Sequence, residues 1–164
     1  MKEIVLSENA LITSKTDLKG NIIYANNDFL KYAGYKANEI LYKPHNIIRH
    51  EDMPRTVFKC LWDCIQQGHE IFAFVKNKAK NGSFYWVFAN VSASFDDSGN
   101  IINYYSVRRA PNRKSIPIIE DIYKILLEKE QKLDINVGVS ALMDIVKSYK
   151  MTYNELIFNL QENN

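Results

Sequence analysis

Two cysteines, six glycines and four prolines are all that this 164-residue chain holds of the residues that staple or punctuate a fold. Cys60 and Cys64 lie four apart in a helical pattern, so they share one face and do not cross-link distant segments; no disulfide framework is expected. No apolar run approaches the roughly 20 residues of a membrane span. The opening MKEIVLSENALITSKTD carries charges where a signal peptide needs an apolar core, which predicts a cytoplasmic protein. A net charge of +2 is too small to point to nucleic acid or to an anionic membrane surface. Also missing are a Ser/His/Asp or Cys/His nucleophilic set, a P-loop and a glycine-rich dinucleotide fingerprint, so catalysis has no seat and a non-enzyme is expected. His45 and His50 stand five apart in an expected loop, and no second ligand pair completes a metal site.

What remains is ordinary in bulk and uneven in detail. The length fits one domain plus an appendage, and 46% hydrophobic with 24% charged residues is a normal globular balance. Residues 1–13 read as an arm or a short helix. Strands are expected around 11–16 and 21–25, joined by Asp17-Leu18-Lys19-Gly20, with Gly20 supplying a positive φ. Asn26 is a good N-cap for a helix buried through Phe29, Leu30, Tyr32 and Ala33 and ended by Gly34. A short helix follows over 37–41. From Ile71 the period becomes that of strands: a hairpin turns at Ala79-Lys80-Asn81-Gly82, and a last strand covers 101–109. Strands at both ends with helices between imply an α+β fold with an antiparallel sheet. After a break at 110–114 the pattern is helical: 115–133, then 137–149, then a helix opened by the capping box Thr152-Tyr153-Asn154-Glu155. Their apolar stripes are expected to pack on the domain, to dock a partner or to form a homodimer.

The stretch KPHNIIRHEDMPRTVFKCLWDCI, residues 43–65, mixes polarity and aromatic surface more than a core segment needs. Pro54 is expected at an early position of a helix whose stripe is Val57, Phe58, Leu61, Trp62 and Ile65. On the residues alone, Arg49-His50-Glu51-Asp52 also reads as a salt-bridge knot, and Phe58 and Trp62 as core. Asn77 and Asn90 sit on strands, where Asn is disfavoured, and each suggests a specific hydrogen bond.

Residues 14–114 resemble a PAS domain of the aerotaxis-receptor type. The motifs that carry this are TDLKGNIIYANNDF, Gly34-Tyr35, KPHNIIRHEDMP, the Phe58-x3-Trp62 helix, VKNKAKNGSFYWVFANV and GNIINYYSVRR. The resemblance implies the PAS fold, a five-stranded antiparallel sheet with short helices on one face, followed here by a helical extension over 115–164. It implies non-covalent FAD held by Asn26, Arg49, His50, Asp52, Phe58, Trp62 and Asn77. Arg49 and His50 would serve the pyrophosphate, helped by the following helix N-terminus. It also implies a redox sensor of energy taxis. With no membrane anchor or signalling domain in the chain, the likeness is to the stand-alone sensors, which work with a separate membrane-bound signalling partner. Two other readings belong to the same fold: a haem-binding gas sensor and a ligand-free interaction module. The photoactive Asn-Cys-Arg-Phe motif of LOV domains is absent, so Cys60 and Cys64 read as ordinary thiols. The chain departs from the family at Ile71-Phe72-Ala73, where members carry Trp-x-Gly; a tryptophan wall is gone, and a methyl group replaces a hydrogen.

Overall fold

The computed structural model describes residues 1–132 and 134–163; the expected helix end at Leu133 and the last residue of the extension, Asn164, lie outside the described residues. The strands are β1 (Ile12–Thr16), β2 (Ile22–Ala25), β3 (Ile71–Lys78), β4 (Phe84–Phe95) and β5 (Ile101–Arg109). They form one antiparallel sheet in the order β2-β1-β5-β4-β3. The local chemistry is as the residue types demand. Asp17 accepts the backbone N–H groups of Lys19 and Asn21 across the first turn, and Gly20 takes a φ of +87° there. Gly82 takes the same φ in the long hairpin.

Between β2 and β3 run α1 (Asn27–Ala33), α2 (Ala37–Ile40), a 3-10 turn at His45–Ile48 and α3 (Arg55–Gln66). Pro54 is the N-cap of α3 and not an early helical residue, because its ψ of 138° keeps it extended. Proline has no side chain to cap with, and the vacancy is filled from far away, as described below. Residues 1–4 are an arm: Ile4 donates to the Phe84 carbonyl at 2.7 Å, and Phe84 donates back to Lys2 at 3.1 Å.

Beyond β5 come α4 (Ile116–Lys132), α5 (Ile135–Ser148) and α6 (Tyr153–Glu162). They fold back on the sheet. Side chains alternate along a strand, so Phe72, Trp86 and Phe88 face away from α3. There Tyr123 of α4 stacks on Trp86, and Phe158 of α6 meets Phe72 edge-on. These helices, with Met53 from the segment before α3, also close the edge at β3. Outward backbone groups of Phe72, Phe74 and Lys76 are met by Asn154 Oδ1 at 3.0 Å, the Tyr123 hydroxyl at 2.5 Å and Met53 Sδ at 3.2 Å. An edge strand thus loses its open ladder. Among the described residues, no helix is long and apolar enough to cross a membrane.

Candidate functional site

A cavity of about 540 Å³ lies between the inner face of the sheet and α3, with Gly20 and the segment Pro44–Arg49 along its rim. Its apolar walls include Ile48, Phe58, Leu61, Trp62, Val75 and Val91. Trp62 is fixed from two sides: Tyr104 meets it edge-on at 5.5 Å, and the backbone of Gly20 lies so close that a Cβ there would stand 2.9 Å from Trp62 Cζ2. A hollow of about 440 Å³ near Lys31, Tyr32 and Lys80 is outside this site. It holds none of the orphaned buried side-chain atoms found among the described residues.

The charge in the cavity is of one sign. Lys19, Arg49, Arg55, Lys59 and Arg108 line it, and no Asp or Glu does. Lys59 is paired with Asp63 at 2.9 Å. Arg49 and Arg108 form no ion pair among the described residues; the Arg49 guanidinium lies 4.4 Å from the Phe58 ring centroid and donates to the Met53 carbonyl at 3.1 Å. Arg108 is 4% exposed and donates through Nη2 to Ser14 Oγ at 2.8 Å and to His45 Nε2 at 2.6 Å. Burial brings its pKa down to about 10, so it stays a cation at neutral pH. His45 is pushed down to about 3, by burial first and by the Arg108 guanidinium second, so the ring is neutral and its Nε2 is an acceptor.

Three residues lining this space carry a buried polar atom with no partner among the described residues: Asn77 Nδ2, Ser106 Oγ and Arg108 Nη1. Such an atom costs about 1–3 kcal/mol unless something meets it. Asn77 is held in place by an isolated antiparallel bridge between its backbone and that of Arg49.

Of the residues expected to hold a cofactor, Arg49, Phe58, Trp62 and Asn77 come together here, while Asn26, His50 and Asp52 do not line the cavity. The physical reasons are plain. Asn26 Oδ1 accepts from Thr13 and Phe29, and its Nδ2 donates to the Leu11 carbonyl, so the amide is committed to capping α1 and tying it to the start of β1. His50 is buried against Phe84, accepting the Asp52 N–H at Nδ1. Asp52 points to solvent and pairs with Lys76 at 2.6 Å. The salt-bridge reading therefore describes Glu51 and Asp52, paired with Lys78 and Lys76, while His50 packs as a neutral ring and Arg49 alone turns inward. Asn90 is on the far face, donating to Glu70.

Two further expectations change. The N-terminus of α3 is not open to a pyrophosphate: Glu130 of α4, 7% exposed, already accepts from the N–H of Arg55 at 3.0 Å and of Thr56 at 2.5 Å. None of Ile71, Phe72 and Ala73 lines the cavity, so the departure from the family pattern leaves its wall intact. Cys60 and Cys64 do not line it either, and burial raises both thiol pKa values. The residues that sequence reasoning missed are Arg108, His45 and Ser14. Strand alternation puts Ser14, Ser106 and Arg108 on the inner face, but only the register of β1 against β5 reveals that Ser14 pairs with Ser106.

The PAS fold model matches residues 22–108, more than half of the chain. The aerotaxis receptor of Escherichia coli is 36% identical over 121 residues, covering 74% of this chain and 24% of that protein, so the chain spans about a quarter of its relative's length. The dark structure of the blue-light photoreceptor Aureochrome1 LOV superposes with a TM-score of 0.59 at 24% identity, covering 70% of this chain and 85% of that one. A light-oxygen-voltage domain described with a flavin analogue does so with a TM-score of 0.56 at 22% identity, over 74% and 85% of the two chains. With its sheet order, its helices over the inner face and the cavity between them, the chain belongs to the PAS fold family.

Proposed function

We propose that this protein is a sensor that binds FAD in the cavity and signals its redox state by contact, without catalysing a reaction. One observation carries the reading. The cavity joins flat aromatic walls to cations and orphaned donors with no carboxylate, which suits a large anionic ligand with a flat ring. Arg49, Phe58, Trp62, Asn77 and Arg108 are the residues that would hold it. FAD, when bound, supplies reversible two-electron redox chemistry. The chain supplies the rest. Asn77 Nδ2 has no competing partner among the described residues, so its hydrogen bond would answer to the ligand. Asn77 stands on β3, whose outward backbone groups are gripped by Tyr123 of α4 and Asn154 of α6. A shift of β3 therefore reaches the C-terminal helices directly. The ligand states must bind the two conformations differently for this to signal. The proposal extends to energy taxis in the cytoplasm, with those helices presented to a separate membrane-bound signalling partner, and the likeness to the aerotaxis receptor supports that direction.

A haem-binding reading has one candidate ligand at the wall, His45, whose Nε2 already accepts from Arg108. A ligand-free module calls for a cavity filled by side chains, and the 540 Å³ of space supports a bound ligand instead. An absorption spectrum of the purified protein decides among the three: flavin bands that bleach on dithionite are expected, a Soret band means haem, and colourless protein that ignores added FAD sinks the flavin reading. A pair of substitutions separates site from scaffold. Arg49→Ala is expected to weaken FAD binding about tenfold with little change in stability, since it removes a charged donor at the wall. His50→Ala is expected to cost about 2 kcal/mol of stability through lost packing, while flavin affinity at a permissive temperature stays near wild type. Equal affinity loss in both variants would reject this division.

A further inference from the structure

Arg108, 4% exposed, is the most buried charged side chain among the described residues and has no counter-charge among them. It stands on the inner face of β5, the middle strand of the sheet, and its guanidinium lies 5.5 Å from the Phe29 ring centroid. Its Nη2 is spent on Ser14 and His45; its Nη1 has no partner. Ser14 is 1% exposed and Tyr85, which also bears on Arg108, is 1% exposed and neutral, its hydroxyl pushed up by burial. Lys19 and Arg55 differ: both are exposed on the rim, Arg55 with its Nε 4.0 Å from the Glu130 carboxylate. Phosphates are strongly hydrated and sit easily where cations meet water. A dry guanidinium with one free donor, braced by a neutral imidazole and a hydroxyl, suits a carbonyl-bearing ring edge that accumulates charge.

We infer that Arg108, braced by Ser14 and His45, is the seat for the oxygen-bearing edge of the ligand's ring system, and that the rim cations take its phosphates. This rests on the flavin reading and assigns that ligand a direction in the cavity. It also gives Arg108 an energetic signature. A buried cation without a counter-charge destabilises the empty protein, and the ligand relieves the cost. A guanidinium serving only the scaffold would stabilise the protein with or without ligand.

The test uses the full chain stripped of flavin and two probes, FAD and riboflavin, which has the ring but no phosphate. Arg108→Gln, which keeps a donor for Ser14, is expected to weaken both probes by the same factor, about tenfold, the worth of one charged hydrogen bond. Arg108→Lys, which keeps the charge and loses the fork, is expected to fall between. Without ligand, Arg108→Gln is expected to melt at or above the wild-type temperature, and with saturating FAD below it. Weakening of FAD with riboflavin unchanged would assign Arg108 to the phosphates and overturn the inference. So would unchanged binding of both, or a variant less stable than wild type in the empty and loaded forms alike. If wild-type protein takes up neither probe, the flavin reading itself falls and this inference with it, a result distinct from the others because it needs no variant.

Discussion

Glu130→Ala is expected to cost about 3 kcal/mol of stability and to lower the melting temperature by roughly 6–12 °C. The first turn of any helix presents N–H groups with no partner inside the helix. Most helices meet this need with Ser, Thr, Asp or Asn at the N-cap. Here the N-cap is Pro54, which can offer nothing, and the Glu130 carboxylate spans the gap from α4, one oxygen to Arg55 and one to Thr56. Hydrogen bonds from a backbone to a buried carboxylate are worth about 1.5–3 kcal/mol each, and two on one group fall short of additive. Replacement by Ala also leaves the Thr56 N–H in a place where that residue is fully buried. Gly138 of α5 closes the same corner: a Cβ there would stand 2.2 Å from Thr56 Oγ1, so no side chain can enter to replace the carboxylate. Glu130→Gln keeps one acceptor and is expected to lose about half as much. Glu128, exposed on the same helix, is the control, and Glu128→Ala is expected within about 0.5 kcal/mol of wild type. Urea melts of the three variants check this. A Glu130→Ala protein as stable as Glu128→Ala would mean that α3 does not need the cap. Because α3 carries Phe58 and Trp62 into the cavity, Glu130 is also where the C-terminal helices hold the wall of the site.

The fold was legible in the sequence wherever a residue acts on its near neighbours. Asn26 caps α1 through a bond three residues long, Gly34 ends it in the left-handed region, and Thr152 with Glu155 closes its capping box as the spacing predicts. The Asn81-Gly82 turn and the change of period at Ile71 place the hairpin correctly. The site was legible only in part. Phe58, Trp62 and Asn77 are expected there through the resemblance; periodicity alone makes Phe58 and Trp62 part of a buried helix stripe and leaves Asn77 an unusual strand residue. Arg49 and His50 are adjacent and alike in character, and nothing local says that one faces the cavity and the other packs on Phe84. Glu130 sits in Leu-Glu-Lys-Glu-Gln-Lys, which reads as a solvated helix surface; its role lies in a contact 74 residues away. Arg108 sits in Val-Arg-Arg at a strand end, where a cation normally means exposure. Its burial depends on β1 pairing beside β5, a contact of 94 residues' separation. Partners at such distances are set by topology, and a single sequence does not display topology residue by residue.

Between pH 7 and pH 5 the empty protein is expected to lose about 2 kcal/mol of stability through His45 alone. The unfolded chain protonates this imidazole near pH 6.5, whereas in the fold it resists until about 3. Within that window the unfolded state binds more protons, so stability is complete above pH 6.5 and drains away as the pH falls toward 3. Burial is the larger cause. The second is Arg108, whose Nη2 already donates to His45 Nε2. Protonation would turn that acceptor into a donor and set two cations face to face, with no carboxylate in the cavity lining to separate them. His50 acts in the same direction, lowered by burial and then by Lys76 against the opposing pull of Asp52 and Glu51. The measurement is stability by urea at pH 7, 6 and 5 for wild type and for His45→Gln, whose side-chain carbonyl still accepts from Arg108. The variant's curve is expected to be flatter by most of the His45 contribution. Curves that run parallel would show that the imidazole is free to protonate in the fold, and the account of a dry, unpaired Arg108 pole would lose its support.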